Sequence, residues 1–160
     1  PATRLLLEAG HRRIAFVNDA APSPASVGRL AGYKAALARF DVDFDPSLVL
    51  SVTADQEGGY GAAAQVLATG ATGVFCHNDR TALGLYDALR ESGKRVPDDI
   101  SVVGFDNQEV ISAHMHPALT TVGLPQYDLG VMGVRTLLRR CGADNDESEI
   151  VSERFKPVRV

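Results

Sequence analysis

The sequence predicts an α/β fold built on a parallel sheet. Three observations carry this. Short apolar runs of strand length alternate with segments whose apolar residues recur at helical spacing. The runs are apolar along their whole length, as strands covered on both faces are. The intervening helical segments are about a dozen residues long, the length of a βαβ crossover.

Taken in order, Arg4-Leu5-Leu6-Leu7-Glu8-Ala9-Gly10 reads as helix from the first residues, which is expected of a chain belonging to something longer. Arg13-Ile14-Ala15-Phe16-Val17 is the first strand, with Pro22, Ser23 and Pro24 expected in a loop after it. Leu30, Tyr33, Leu37 and Phe40 then recur on one helical face. Leu48-Val49-Leu50 with Val52 forms the second strand, followed by a helix that Asp55 can cap and Gly70 closes. Gly73 to His77 is the third strand. Asn78-Asp79 leads into a helix with Ala82, Tyr86 and Leu89 on one face, ended by Gly93. Pro97-Asp98-Asp99 turns the chain into a fourth strand, Ile100 to Phe105, followed at once by Asp106-Asn107 and an irregular loop. Tyr127 to Arg140 reads as an amphipathic helix with Leu129, Met132, Val134, Leu137 and Leu138 as its apolar members, and Phe155 to Val160 as a final strand. The acidic stretch 144–147 between them reads as a solvated loop.

Composition narrows the function. In 160 residues, 45% are hydrophobic and 22% charged, a soluble globular balance of about one domain. A net charge of −4 with no Lys/Arg run argues against a nucleic-acid surface in these residues. No apolar run approaches the roughly 20 residues of a membrane span. Cys76 and Cys141 follow no metal or redox spacing and read as reduced thiols of a cytoplasmic protein. His114 and His116 form an HxH pair, but no third ligand stands at a recognisable spacing, so no metal or other cofactor is expected. Neither a GxSxG elbow nor a glycine-rich phosphate loop follows any strand, so neither an enzyme nor a nucleotide site is expected.

In open α/β sheets ligands bind at the C-terminal ends of the strands. There this sequence places Asn18-Asp19, Thr53-Ala54-Asp55, His77-Asn78-Asp79 and Asp106-Asn107. Carboxylates accept from hydroxyls, and amides both donate and accept, so such a rim suits a polyhydroxyl ligand. Each of these residues could instead cap a helix, the reading favoured for Asp55 and Asp79.

Four ordered stretches resemble the lactose/galactose repressor (LacI/GalR) family. They are Gly28-Arg29-Leu30-Ala31-Gly32-Tyr33, His77-Asn78-Asp79 with Ala82-Leu83-Gly84, Val96 through Asn107, and Pro117-Ala118-Leu119-Thr120-Thr121-Val122. The resemblance implies a doubly wound, periplasmic-binding-protein-like (type I) fold of two α/β subdomains with a small effector between them. Residues 1–122 would belong to the C-terminal subdomain and 123–160 to a segment crossing to the N-terminal one. Most of that subdomain, and a helix-turn-helix that binds operator DNA, would lie outside these residues.

The resemblance also implies residue roles. Arg29 would be the effector-facing arginine, Asp106 the carboxylate accepting from a ligand hydroxyl or ring nitrogen, and Asn78 an amide touching the ligand. Ser23 and Asn18 are further candidates on the same rim. Leu83 and Met115 are the candidates for a homodimer interface. Ala54 stands where several family members carry an aromatic ring, and with 6% aromatics and no tryptophan, stacking on the ligand is expected to be weak. The function implied is sugar-like effector sensing that controls DNA binding by a repressor. The alternative is a periplasmic-type sugar-binding protein of a transport system.

Overall fold

A computed structural model describes residues 1–142 and the backbone of 157–158. Helix α1 (Ala2–Glu8) leads to strand β1 (Ile14–Asp19), helix α2 (Pro24–Arg39), β2 (Val49–Val52) and α3 (Gln56–Ala68). There follow β3 (Gly73–Cys76), α4 (Asp79–Glu91), β4 (Ser101–Asp106), the single turn α5 (Glu109–Ser112), β5 (Thr120–Gly123), α6 (Gln126–Arg140) and β6 (Pro157–Val158). The sheet order is β2-β1-β3-β4-β5-β6. The first five strands are parallel, and β6 pairs antiparallel with β5. The chain leaves β1 towards β2 on one side and returns to β3 on the other. The switch point, where such sheets open a crevice, therefore lies between the C-terminal ends of β1 and β3.

Alternation along the strands makes two cores. Ile14, Phe16, Phe75, Val103 and Val122 face α1 and α2, where Leu6, Leu7, Tyr33 and Leu37 meet them. Ala15, Val17, Val74, Cys76 and Val102 face α3 and α4, against Val66, Leu85 and Leu89. Each fully buried Leu or Val contributes about 1.5–3 kcal/mol relative to an exposed one. Helices α3 and α4 approach backbone to backbone because Gly59 and Gly84 lie at their crossing. A Cβ on Gly59 would land on the Thr81 carbonyl oxygen, and one on Gly84 on that of Gln56. Tyr33 ties α2 to the sheet by donating from its hydroxyl to the Ile14 carbonyl at 2.8 Å.

Several boundaries differ from the sequence expectation. Pro24 opens α2 rather than lying in a loop. Ser23 caps that helix, and proline is at ease in a first turn, where its missing N–H has no partner to lose. Leu48 closes a short 3₁₀ turn, Pro46–Leu48, instead of starting β2. Asp79 is the first residue of α4, and Asn78 is its cap. Beyond Asp106 the chain makes one helical turn, α5, rather than a wholly irregular loop. Helix α6 forms as expected but buries none of its residues: Tyr127 is 83% exposed and Leu137 64%. Of the expected last strand, only the backbone of 157–158 is described. The acidic stretch 144–147 lies outside the described residues.

Candidate functional site

Three of the polar residues at the strand ends, Asn18, His77 and Asp106, converge with Arg29 of α2. The Arg29 side chain reaches from α2 over the end of β4, its guanidinium carbon 4.2 Å from the centre of the Phe105 ring. Nη2 donates to Asp106 Oδ1 at 3.1 Å, and Nη1 lies 3.0 Å from His77 Nε2. Arginine has no acceptor, so His77 Nε2 must accept. The imidazole proton therefore sits on Nδ1 and is donated to Asn18 Oδ1 at 3.0 Å. Asn18 Nδ2 in turn donates to the Ser26 carbonyl at 3.2 Å. The chain Asp106–Arg29–His77–Asn18 thus runs across the ends of β4, β3 and β1 and straddles the switch point.

Local backbone geometry aims Asp106 at Arg29. Asp106 has φ +108° and Asn107 φ +54°, the left-handed side that Asp and Asn tolerate better than most residues. Asp79, fully buried, holds this turn: its Oδ2 accepts the Gln108 N–H at 2.7 Å and its Oδ1 the Thr121 hydroxyl at 2.6 Å. Gly104 leaves room for that carboxylate, since a Cβ there would collide with Asp79 Oδ1.

Charge follows burial. Desolvation pushes the Asp106 carboxyl above its ordinary range, opposed by the Arg29 cation beside it. Desolvation also raises Asp79, opposed by its hydrogen bonds from Thr121 and Gln108. Burial, then the neighbouring Arg29 charge, lowers His77 to about 4, with Asp19 opposing, so the imidazole is neutral near pH 7. Arg29 Nε is buried and meets no hydrogen-bond partner among the described residues. Beside Arg29 lies a cleft of about 490 Å³ lined by Pro24, Gly28, Tyr33, Phe75 and Phe105.

The other sequence candidates are placed differently. Ser23 caps α2 in a reciprocal pair with Ser26, accepting its N–H at 3.0 Å. Asn78 caps α4, accepting the Thr81 N–H at 2.9 Å while donating to the Ala54 carbonyl at 2.9 Å. Both lie on the rim, Ser23 bonded within its own turn and Asn78 both within its turn and to the chain just past the end of β2. Leu83 (half-buried) and Met115 (buried) line a separate cleft of 420 Å³ between α4 and the His114–Pro117 segment, with Val110 exposed at its edge. The sequence reading did not single out His77 as a site residue, although an imidazole directly before a capping Asn at a strand end marked it. Asp79, read as a cap, holds the Asp106 turn instead.

A family model described as a periplasmic binding protein-like domain matches residues 3–159. The chain is 34% identical over 147 residues to the ribose operon repressor of Haemophilus influenzae, covering 91% of this chain and 44% of that protein. It is 37% identical over 159 residues to the HTH-type transcriptional repressor PurR of Vibrio atlanticus, covering 98% and 47%. The chain thus spans under half the length of these curated relatives. A sugar-binding transcriptional regulator of the LacI family from Escherichia coli, complexed with phosphate, superposes with TM-score 0.90 at 32% identity, covering 99% of this chain and 57% of that one. A LacI family regulator from Enterococcus faecium with bound ribose superposes with TM-score 0.81 at 38% identity, covering 92% and 54%.

Proposed function

The chain belongs to the periplasmic binding protein-like family, with LacI-family regulators among its relatives, and from that premise we propose that it is the effector-sensing part of a bacterial transcriptional repressor. A small polar effector of the sugar class binds at the ends of β1, β3 and β4 and thereby controls DNA binding by a helix-turn-helix elsewhere in the protein. The observation that carries this reading is the hydrogen-bonded chain Asp106–Arg29–His77–Asn18 at the switch point. The arginine's charge is balanced by Asp106 and the imidazole is neutral, so the cluster offers donors and acceptors without surplus positive charge. That chemistry suits a neutral polyhydroxyl ligand better than an anion. Phe105 supports it less directly, because its ring face meets Arg29.

In this reading the protein is not an enzyme, works in the cytoplasm, and pairs with a second copy through the α4 surface around Leu83 and Met115. Residues 1–122 are the C-terminal subdomain, and 123–160 cross to the N-terminal one. The exposed apolar side chains of α6 support this division, since a helix with that pattern is built to be covered. Titration calorimetry with neutral sugars, D-ribose first, tests the proposal. The expected outcome is saturable binding that Arg29→Ala weakens about tenfold or more. Tight binding of sugar phosphates with no response to neutral sugars would overturn the ligand class.

A further inference from the structure

We propose that His77 is a positioning residue of this site: from the end of β3 it fixes the plane and reach of the Arg29 guanidinium and so limits how Arg29 engages Asp106. Its consequence for a ligand rests on the proposed effector site; its action on Arg29 does not. Arg29 presents Nη1 to His77 Nε2 at 3.0 Å and only Nη2 to Asp106 Oδ1 at 3.1 Å. An arginine facing a carboxylate otherwise tends to pair through two nitrogens and two oxygens. The imidazole turns one nitrogen aside. Stacking on Phe105 holds the guanidinium plane, and His77 sets its rotation within that plane.

His77 can do this because it is itself held. It is 6% exposed, and its Nδ1–H is donated to Asn18, whose own amide donates to the Ser26 carbonyl in α2. The relay therefore ties Arg29, on α2, to strands β1 and β3. A ligand hydroxyl at Asp106 meets a carboxylate that Arg29 approaches through a single nitrogen. Without His77, both terminal nitrogens of Arg29 are free to swing onto Asp106, and the pair closes on itself.

The test begins on the unmodified 160-residue chain without ligand. At pH 7, ¹⁵N spectra of the His77 ring should show a protonated Nδ1 and a bare Nε2; a protonated Nε2 would overturn the proposal. Next, Arg29 guanidinium exchange is compared in His77→Phe, which keeps the ring and removes the acceptor, and His77→Gln, which restores an acceptor near Nε2. Arg29 should become mobile or shift to a two-nitrogen contact with Asp106 in His77→Phe and recover in His77→Gln. Identical Arg29 behaviour in all three would overturn the proposal. D-Ribose titrations then add the ligand readout, with affinity at least about tenfold weaker in His77→Phe and mostly regained in His77→Gln. Should the unmodified protein bind neither ribose nor any other neutral sugar, the ligand class fails while the ring and guanidinium signals still decide the role of His77.

Discussion

Two sets of polar residues share the same rim and behave differently. Ser23, Asp55 and Asn78 each accept an N–H three residues ahead and start a helix. Asn18, Arg29, His77 and Asp106 bond one another across separations of 48, 59 and 77 residues, with Asn18 also donating to the Ser26 carbonyl in α2. In sequence the sets look alike, since both put Asn, Asp or Ser next to a strand end. What separates them is reach. The first set is bonded chiefly within the turn it caps, whereas the second is bonded mainly to itself at the switch point, where a ligand can enter.

Breaking what supports the second set should have the largest effect on stability. Asp79→Ala leaves the Gln108 N–H and Thr121 hydroxyl without their buried acceptor, and we expect a loss on the order of 3 kcal/mol in urea unfolding. The second set itself should register in binding. Arg29→Ala and Asp106→Asn should each weaken a bound sugar by about 1.5–3 kcal/mol in calorimetry.

Acid should act on His77 with a definite sign. Its folded-state pKa, about 4, lies below the ordinary 6.5. The unfolded chain therefore takes up the proton first, and the stability that neutral His77 contributes above pH 6.5 is lost as pH falls towards 4, by up to about 1.4 kcal/mol per pH unit. Asp79 and Asp106, with raised pKa values, act in the opposite sense: they favour the fold at low pH and lose that contribution as pH rises through their folded values. Unfolding curves of the unmodified protein and His77→Gln isolate the histidine, and their stability difference should shrink or reverse between pH 6.5 and 4.

Cap variants should cost less. Asn78→Ala should lose about 1 kcal/mol, and Asn78→Ser, which can still cap, only part of that. If Asn78→Ser keeps the fold but loses sugar affinity, Asn78 belongs to both sets and the distinction blurs there. The smallest effect is expected on α6, where Leu137→Ala should change the chain's own stability by no more than about 0.5 kcal/mol, because Leu137 is already 64% exposed.

The strand–helix alternation was legible because period and length are local properties. So were the caps of α3 and the glycine ends of α3 and α4. That Arg29 and Asp106 each face an effector came from the family resemblance, and their contact with each other was not foreseen, since nothing local links residues 77 positions apart. His77 was visible on the rim but not as a partner of Arg29, because that contact depends on strand order. Asp79 misled for the same reason: next to a helix start it reads as a cap, and only the fold brings Thr121 and Gln108 to it. Helix α6 was legible as amphipathic, but a pattern states which face wants covering and not what covers it.

We place the effector at the Asp106–Arg29–His77–Asn18 cluster. Backbone and side-chain chemical shifts followed while D-ribose and other neutral sugars are titrated into the protein test it most directly. For a sugar that binds, changes should centre on Asn18, Arg29, His77 and Asp106 and should need about tenfold or more sugar in Arg29→Ala. Changes centred on the Leu83–Met115 cleft, or the same affinity in Arg29→Ala, would contradict it.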